Sequence, residues 1–240
     1  MKEIKFKIET YSNLLIGGNE MGFVIGGIDE KTVTDHEGFP YIPGSSFKGV
    51  FRKIVRESEN EKILTLYNEY VGFLKKRVEE KGRDAKDWEA KINDQDKIKS
   101  KMELLFGIEG FNQSPRLIFS DLYLADKKDI EKCFSLDAKN SIIEDEESGK
   151  LKSNPRFYKS ARKGLIFSGS IRFHRPFDSY SEKDLFTDEK CEMIREYIKA
   201  RLSVFNDGYY RLGNSKSSGY GEIKVIEIDG KEVGDSNDYI

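Results

Sequence analysis

The sequence predicts an α+β protein whose elements follow the ferredoxin-like (RRM-like) order of strand, helix, strand, strand, helix, strand. Two observations support this. Apolar residues alternate with charged ones near both ends of the chain, which is the period of a strand with one buried face. Between these ends, apolar residues recur at helical spacing or form short β-rich runs. With 240 residues, 37% of them hydrophobic, the chain has enough apolar material for a single domain over 1–240.

Three segments predict the first half of this order. Residues 4–8 alternate apolar and charged side chains, which predicts the first strand. The segment 41–54, YIPGSSFKGVFRKI, predicts a helix that begins near Ser46, with Ser45 or Ser46 as its cap. Residues 57–106 carry apolar positions at helical spacing among dense charges, with one break, and are predicted to be a helical insertion of two amphipathic helices.

The second half is predicted from shorter patterns. The runs RLIFSDLYL (116–124) and GLIFSGSIRF (164–173) are rich in β-forming residues and predict strands. Between them, the polar stretch 139–163 contains Gly and Pro and predicts a protruding hairpin or loop. Apolar residues at helical spacing over 194–205 predict a helix, and the alternating run at 220–228 predicts the last strand.

Composition excludes several classes of protein. The 41 Lys and Arg nearly balance the 43 Asp and Glu, so the net charge of −2 indicates no particular partner. The chain contains no apolar run long enough to cross a bilayer and does not start with the apolar block of a signal peptide, so we expect a cytoplasmic protein with no membrane partner. Two cysteines and two histidines, far apart in sequence, make a structural zinc site or a disulfide framework improbable.

Positive charge is nevertheless concentrated along the chain. Residues 152–175 carry seven Lys and Arg and no acid, 38–56 carry four and no acid, and 209–221 add two more. Aromatic residues lie among these cations, and aromatic faces beside cations are what single-stranded nucleic acid binds. For any one residue, a solvated cation or an ordinary strand aromatic is the simpler interpretation. Together, three acid-free segments in a nearly neutral chain favour a polyanionic partner.

Two glycine-rich elements are candidates for contact with that partner. The segment 43–46 precedes a helix whose first amides can hold a phosphate, with Lys48 and Arg52 on the following turns. A plain turn at 44 followed by a serine cap is an equally good interpretation, and the GSSxKG spacing does not support a P-loop ATPase. The second element, 211–221, has glycines that allow close approach of a sugar-phosphate backbone, or it is a simple helix-to-strand loop.

Several motifs occur in an order that resembles the RAMP superfamily. They are IGG (16–18), IGGID (25–29), YIPGSSFKGVFR (41–52), LFG (105–107), RLIFSDLYL (116–124) and LGNSKSSGYGEIKV (212–225). The resemblance spans most of the chain. It is closest to the repeated backbone subunit of type III CRISPR effector complexes, of the Csm type, which cleaves target RNA.

The resemblance implies a ferredoxin-like palm with a protruding thumb hairpin, which corresponds to 139–163. It also implies that further copies of the chain stack along a guide crRNA, together with other effector subunits. The implied activity is that of an endoribonuclease, active within the assembled complex, which cleaves the paired target RNA with a divalent metal ion, most simply Mg²⁺.

The resemblance also implies roles for particular residues. In the family, the Asp that ends the IGGID-like segment is required for metal-dependent cleavage. This role carries over to Asp29, which would reach the metal through a phosphate of the target. From the residues alone, an Asx-turn or loop cap is the better interpretation of Asp29, and a turn is favoured for Asp35. The resemblance and the cationic segments together predict RNA binding by Gly17, Gly18, Ser45, Ser46, Lys48, Arg52, Arg156, Lys159, Arg211, Lys216 and Gly219.

Two departures from the family pattern leave alternatives open. Many relatives have His where this chain has Leu15, and the segment 159–164 reads KSARKG where relatives often show Glu, Val, Pro, Gly. One alternative is a catalytically inert, structural RNA-binding backbone subunit. Another is a guide-processing endoribonuclease of the same superfamily, which usually needs a catalytic His. The chain offers only His36, expected in a surface loop, and His174, expected in a strand.

Overall fold

A computed structural model describes residues 3–17, 28–81, 101–107, 116–127, 129–144, 151–174 and 185–234. In these ranges the protein is a mixed α+β structure, as the sequence predicts. The helices are α1 (Gly44–Arg56), α2 (Glu61–Lys81) and α3 (Asp188–Ser203). The strands are β1 (Ile4–Thr10), β2 (Glu30–Lys31), β3 (Arg116–Phe119), β4 (Tyr123–Leu124), β5 (Phe134–Glu144), β6 (Leu151–Ala161), β7 (Ile166–His174), β8 (Ile223–Ile228) and β9 (Lys231–Glu232).

Two sheets organise the described strands. The larger sheet has the order β3-β7-β1-β8-β9, and β4 also pairs with β7. The pairs β1–β8, β3–β7, β4–β7 and β8–β9 are antiparallel. In the first of these, Phe6 lies opposite Ile228 and Thr10 opposite Ile223. Side chains of β1 alternate as predicted, since Ile4 and Ile8 are fully buried. The smaller sheet has the order β2-β6-β5.

The chain divides into two compact units made of interleaved segments. The first unit comprises Met1–Ile4, Phe51–Phe119 and Ile171–Leu202, and the second comprises Lys5–Val50, Ser120–Ser170 and Ser203–Ile240. No helix in the described part of the chain combines the length and apolar character that a bilayer span requires.

Aromatic residues form the core of the first unit. The Phe51 ring lies edge-on to Phe119, at 5.8 Å between centroids, and Phe106 stacks on Phe119 at 6.1 Å. The predicted helical insertion contributes α2 and a short 3₁₀ helix, Lys101–Phe106, to this unit. The second predicted helix of the insertion, which follows the break near residue 82, lies outside the described residues up to 100, and its last part is the 3₁₀ helix.

The second unit has its own aromatic stack. Phe47 on α1 is fully buried between Phe6 on β1, at 5.0 Å, and Phe205, at 5.2 Å. Helical spacing predicts this inward position for Phe47, because it lies on the apolar face of α1. The stack fixes the first half of α1 against β1.

The prediction that Ser45 or Ser46 caps α1 is wrong. The helix begins at Gly44, and the Gly44 amide donates to the Asp121 carboxylate at 2.7 Å. The amide of Ser46 donates to the Pro43 carbonyl at 2.9 Å, so both serines lie inside the first turn. The cap comes from 77 residues away in sequence, and local spacing therefore gives no sign of it.

The run 116–124 forms two short strands where the sequence predicts one. Strand β3 ends at Phe119 and β4 starts at Tyr123, and both pair with β7. The interruption contains Asp121, the residue that caps α1. The break in the strand is therefore where the chain supplies the helix cap.

A long hairpin forms most of the smaller sheet. Strands β5 and β6 pair antiparallel from Phe134 opposite Ala161 to Glu144 opposite Leu151. The stretch predicted as a protruding hairpin or loop, 139–163, falls largely on these strands, while 145–150 lies outside the described residues. The assignment of this hairpin as a thumb stays a prediction.

Candidate nucleic-acid interface

Asp29 is exposed and is held by the backbone of the hairpin. Its amide donates to the Phe157 carbonyl at 2.8 Å, and its carboxylate oxygen Oδ2 accepts a hydrogen bond from the Phe157 amide at 2.6 Å. Strand β2 continues this contact and pairs parallel with β6, Glu30 opposite Tyr158. The described contacts of Asp29 are therefore to a segment 128 residues away and not to a local Asx-turn.

Gly17 lies close both to the residue that follows β2 and to the glycine-rich loop, residues 211–221. Thr32, which follows β2, donates its amide to the Lys159 carbonyl at 2.8 Å and pairs with Gly17 in an isolated bridge. A β-carbon added to Gly17 would lie 3.3 Å from Nδ2 of Asn214, in the glycine-rich loop. The structure thus brings Gly17 beside both elements, whereas the predicted RNA-binding residue Gly18 lies outside the described residues.

The glycine-rich loop, residues 211–221, packs closely on the segment after β1. Gly213 has φ of 74°, and a β-carbon there would lie 2.2 Å from the Leu15 carbonyl oxygen. Gly221 has φ of 79°, and a β-carbon there would lie 1.9 Å from the Leu212 carbonyl oxygen. These two glycines are required by close backbone packing. Gly219, at φ of 90°, has open space where a β-carbon would be, so this side of the loop is accessible to a ligand.

The two predicted cations of this loop differ in their surroundings. Lys216 is exposed. Arg211 is partly buried, and its Nη2 lies 3.0 Å from Oε2 of Glu222 in an ion pair. Lys216 therefore presents more of its charge to an incoming phosphate than Arg211 does.

The hairpin places Arg156 and Lys159 on opposite faces. Side chains alternate along a strand, so positions three apart in β6 point to different sides. Arg156 is exposed and lies opposite Lys139 of β5. The Lys159 ammonium lies 4.2 Å from the ring centroid of Phe134 on the other face. These two predicted RNA-binding residues do not form one surface.

The predicted phosphate site at the start of α1 already has a carboxylate beside it, that of Asp121. Ser45 is exposed, and Ser46 and Lys48 are half-buried. Arg52 belongs to the first unit, and its guanidinium carbon lies 5.7 Å from the Phe106 ring centroid. The predicted contacts of this helix with RNA stay predictions.

The sequence does not predict the partly buried carboxylate of Asp137 at the hairpin base. Burial alone raises the pKa of Asp137, but hydrogen bonds from four neighbouring side chains outweigh it, so the pKa lies below the ordinary Asp value. The donors to its carboxylate are Tyr220 (2.7 Å), Ser160 (2.7 Å), Ser135 (2.9 Å) and Asn13 (3.2 Å). A polar residue at alternating spacing in a strand gives no sign that distant donors converge on it.

Aromatic residues near the cations are divided between core and surface. Tyr158 and Tyr220 are each only 8% exposed and form a buried cluster with Leu15. For these two tyrosines the plain interpretation as core residues is correct. Phe157, at 44% exposed, and Tyr209, at 78%, keep faces that a base can stack on.

Leu15 and Asp35 have structural roles. Leu15, which replaces the His of many relatives, is fully buried. The Asp35 carboxylate accepts hydrogen bonds from the amides of Glu37 and Phe39, which confirms the turn interpretation, and from the Lys127 ammonium at 2.7 Å. Burial raises the pKa of Asp35, but these hydrogen bonds lower it further than burial raises it.

The histidines lie where the sequence predicts. His174 ends β7 and is exposed, and it belongs to the first unit. His36 is exposed in the turn that Asp35 closes. Both cysteines are buried and free of disulfide bonds.

The donor chemistry of Asp29 suits a magnesium ion only in part. A carboxylate supplies the hard oxygen ligands that Mg²⁺ prefers. Within the described ranges, however, no group of three or more His, Cys, Asp or Glu side chains is arranged to hold an ion. Asp29 would therefore supply a single carboxylate to such an ion, with no second acidic, His or Cys cluster among the described residues to complete the site.

Comparison with known proteins shows where this chain belongs. Two curated relatives carry the name "CRISPR system Cms endoribonuclease Csm3". The protein of Methanocaldococcus jannaschii is 25% identical over 225 residues, which cover 92% of this chain and 77% of that protein. The protein of Streptococcus thermophilus is 26% identical over 236 residues, which cover 94% of this chain and 88% of that protein.

A solved structure shares the fold. A chain of "Cryo-EM structure of the Type III-B Cmr-beta bound to cognate target RNA" matches with a TM-score of 0.54 and 17% identity, over 96% of this chain. This chain spans 60% of the length of that chain. The sequence profile of the RAMP superfamily matches residues 7–224. The resemblance inferred from the motifs is thereby confirmed, and the chain belongs to the RAMP superfamily.

Proposed function

We propose that this chain is the repeated backbone subunit of a type III CRISPR effector complex and that it cleaves target RNA paired to a guide crRNA. Copies of the chain stack along the guide beside other effector subunits. The cleavage is metal-dependent, and Mg²⁺ is the ion. The names of both curated relatives, which call them endoribonucleases, support this activity.

The placement of Asp29 carries this proposal. Its carboxylate is exposed, and one oxygen is fixed by the Phe157 amide at 2.6 Å. The other oxygen, Oδ1, has no hydrogen-bond partner among the residues that the structure describes. A fixed carboxylate with one oxygen available is what a metal bound jointly with a substrate phosphate requires.

Cleavage of the RNA backbone requires few catalytic groups from the protein. RNA supplies its own nucleophile, the ribose 2′-OH beside the scissile phosphate, so the main task of the chain is to hold the strand in the in-line geometry. Asp29 would hold the Mg²⁺, and the bound ion would supply positive charge to offset the negative charge that develops on the phosphate. The products expected from the resemblance are an upstream cyclic phosphate or phosphate and a downstream 5′-OH.

We further propose that the larger sheet is a ferredoxin-like palm and that the β5–β6 hairpin is the thumb. The strand order β3-β7-β1-β8 supports the palm, because it places the first strand between the third and fourth of the core strands. The full pairing of β5 with β6 over eleven residues supports a hairpin long enough to reach between guide and target.

The test compares three assembled complexes, which contain the native chain, the Asp29→Ala variant or the Asp29→Asn variant. Target binding and target cleavage are scored separately, with and without Mg²⁺. We expect both variants to bind the matched target normally and to lose cleavage, since neither supplies a carboxylate. Cleavage at the native rate by Asp29→Ala would remove Asp29 from the mechanism.

The same experiment separates the alternatives. A native complex that binds target but does not cut it with Mg²⁺ would indicate an inert structural subunit. Cleavage of precursor repeat RNA by the purified chain alone would indicate a guide-processing enzyme. Since His36 and His174 are an exposed turn residue and a strand-end residue, His→Ala variants at both positions are expected to leave target cleavage unchanged.

A further inference from the structure

Tyr220 is the residue through which the glycine-rich loop reaches the hairpin. Its hydroxyl donates to the Asp137 carboxylate at 2.7 Å, and its ring centroid lies 4.0 Å from the Lys139 ammonium. The described backbone hydrogen bonds that leave the loop go to the segment after β1, from Asn214 to Leu15 and from Gly221 to Asn13. The loop therefore contacts the Asp137 carboxylate of β5 directly through the Tyr220 side chain, and indirectly through Asn13, whose side-chain amide donates to the same carboxylate at 3.2 Å.

From Asp137 the contact continues to Asp29 along β6. The hydroxyl of Ser160, which is fully buried, donates to the same carboxylate at 2.7 Å. Three residues earlier on the same strand, the Phe157 amide holds the Asp29 carboxylate at 2.6 Å. One strand thus connects the partly buried carboxylate at the hairpin base to the exposed carboxylate of the proposed catalytic site.

The chemistry of position 137 requires a carboxylate. Four donors converge on it: three hydroxyl or amide groups of the hairpin and the segment after β1, and the phenol of Tyr220. A carboxylate accepts all of these, because its two oxygens offer about four lone-pair sites and carry no proton. In an Asn side chain, an NH₂ group replaces one of the two oxygens and would face these donors. The Asp137→Asn substitution would therefore remove some of the four hydrogen bonds.

We infer that Asp137, acting through Tyr220, is a positioning residue that sets where Asp29 stands relative to RNA held by the glycine-rich loop. This inference rests on the proposed function. Asp137 is not in contact with Asp29, and its effect passes through β6. Guide RNA on the loop and the cutting of the target are thereby coupled within a single subunit.

The test compares Tyr220→Phe with Ser135→Ala in the assembled complex. Each variant removes one hydroxyl donor from Asp137, but Ser135 lies inside the hairpin and Tyr220 comes from the loop. Phe keeps the ring beneath the Lys139 ammonium, so only the hydrogen bond is lost. Target affinity, the single-turnover cleavage rate and the positions of the cuts are measured for each complex.

We expect Tyr220→Phe to bind target within about twofold of native, to cleave about tenfold more slowly and to spread its cuts over neighbouring phosphates. Ser135→Ala is expected to cleave at the native rate and positions. Native cleavage by Tyr220→Phe would overturn the inference. So would equal losses in the two variants, or a loss of guide binding by Tyr220→Phe, because these would indicate general stability or direct binding.

A second measurement does not depend on cleavage. Guide RNA is added to the purified chain, and hydrogen exchange is followed at the backbone amides of 28–32 and 157–160. In the native chain, guide binding is expected to slow exchange at both segments, and in Tyr220→Phe this slowing is expected to be lost. If Tyr220→Phe responds as the native chain does, Asp137 does not couple the two sites, whatever the target assay shows.

Discussion

The Asp29 carboxylate is anchored by the backbone amide of Phe157, at 2.6 Å, while the Asp29 amide donates to the carbonyl of the same residue at 2.8 Å. The two residues are thus joined by a reciprocal pair of hydrogen bonds. Because the donor to the carboxylate is main chain, the anchor does not depend on which side chain stands at 157, provided that the residue has an N–H.

Phe157→Pro removes this donor and is expected to slow target cleavage about tenfold, since a carboxylate that loses a charge-assisted hydrogen bond is no longer fixed. The Phe157 amide points to Asp29, so the exchange removes that bond in particular. Phe157→Ala keeps the amide and serves as the control. Single-turnover cleavage by the assembled complex is the measurement. Equal rates in the two variants would show that the anchor has no effect on cleavage.

Glycine positions in the loop are expected to differ in their tolerance of a methyl group. Gly221→Ala brings a β-carbon to 1.9 Å from the Leu212 carbonyl oxygen and is expected to lower the free energy of unfolding by more than about 2 kcal/mol. Gly219→Ala meets open space and is expected to cost about 1 kcal/mol, for its positive φ alone. Urea denaturation distinguishes them, and equal costs would contradict the close approach at 221.

The salt dependence of guide-RNA affinity is expected to identify the cation that meets phosphate. Lys216→Gln should reduce the slope of log affinity against log salt by about one, because one released counterion is lost. Arg211→Gln should change this slope less, since its guanidinium is already paired with Glu222 at 3.0 Å. Fluorescence anisotropy over a salt series provides the slopes. A larger change for Arg211→Gln would place the RNA elsewhere on the loop.

The Asp121 cap of α1 is expected to stabilise the folded chain more than the serines in the first turn of the helix do. Asp121→Ala removes the acceptor of the Gly44 amide, 2.7 Å away, and should lower the free energy of unfolding by about 1 kcal/mol. Ser45→Ala, at an exposed helical position, should stay within about 0.5 kcal/mol of native. A larger loss for Ser45→Ala in chemical denaturation would restore the serine as the cap.

Acid stability is expected to depend on Asp137. Its pKa is lowered in the folded chain, so its contribution to stability is present above the ordinary Asp pKa of about 3.9 and is lost as pH falls through the folded value. Stability measured from pH 5 downward should therefore fall less steeply in Asp137→Asn than in the native chain. Ser135→Ala keeps the carboxylate and should keep most of the native slope. Parallel curves for native and Asp137→Asn would contradict the lowered pKa.

The spacing of apolar residues along the sequence correctly predicts which positions of β1 and α1 are buried. The inward positions of Ile4 and Ile8 on β1 and of Phe47 on α1 follow from spacing alone, because a strand or helix buries a fixed set of positions. The turn at Asp35 also follows, since the backbone amides that close it on the Asp35 carboxylate lie only two and four residues ahead. Local rules suffice wherever both partners of an interaction lie in one short segment.

The rest depends on partners far apart in sequence. Asp121 as the cap of α1 and Tyr220 as a donor to Asp137 join segments separated by 77 and 83 residues. Nothing in the spacing of Gly44 or Asp137 indicates such partners. The opposite directions of Arg156 and Lys159 follow from strand alternation, but only once the hairpin is known to be a strand and not a loop.

The alternation along β6 divides this hairpin into two sets of positions that can change independently. Residues 156, 158 and 160 share the side that Asp137 and Tyr220 occupy, whereas 157 and 159 share the other. Substitutions in the second set can suit a new neighbour while the first set keeps its hydrogen bonds. One face of the hairpin can thus be redesigned while the hydrogen bonds to Asp137 on the other face are kept. A single residue inserted into β6, however, would move the side chains beyond it to the opposite face.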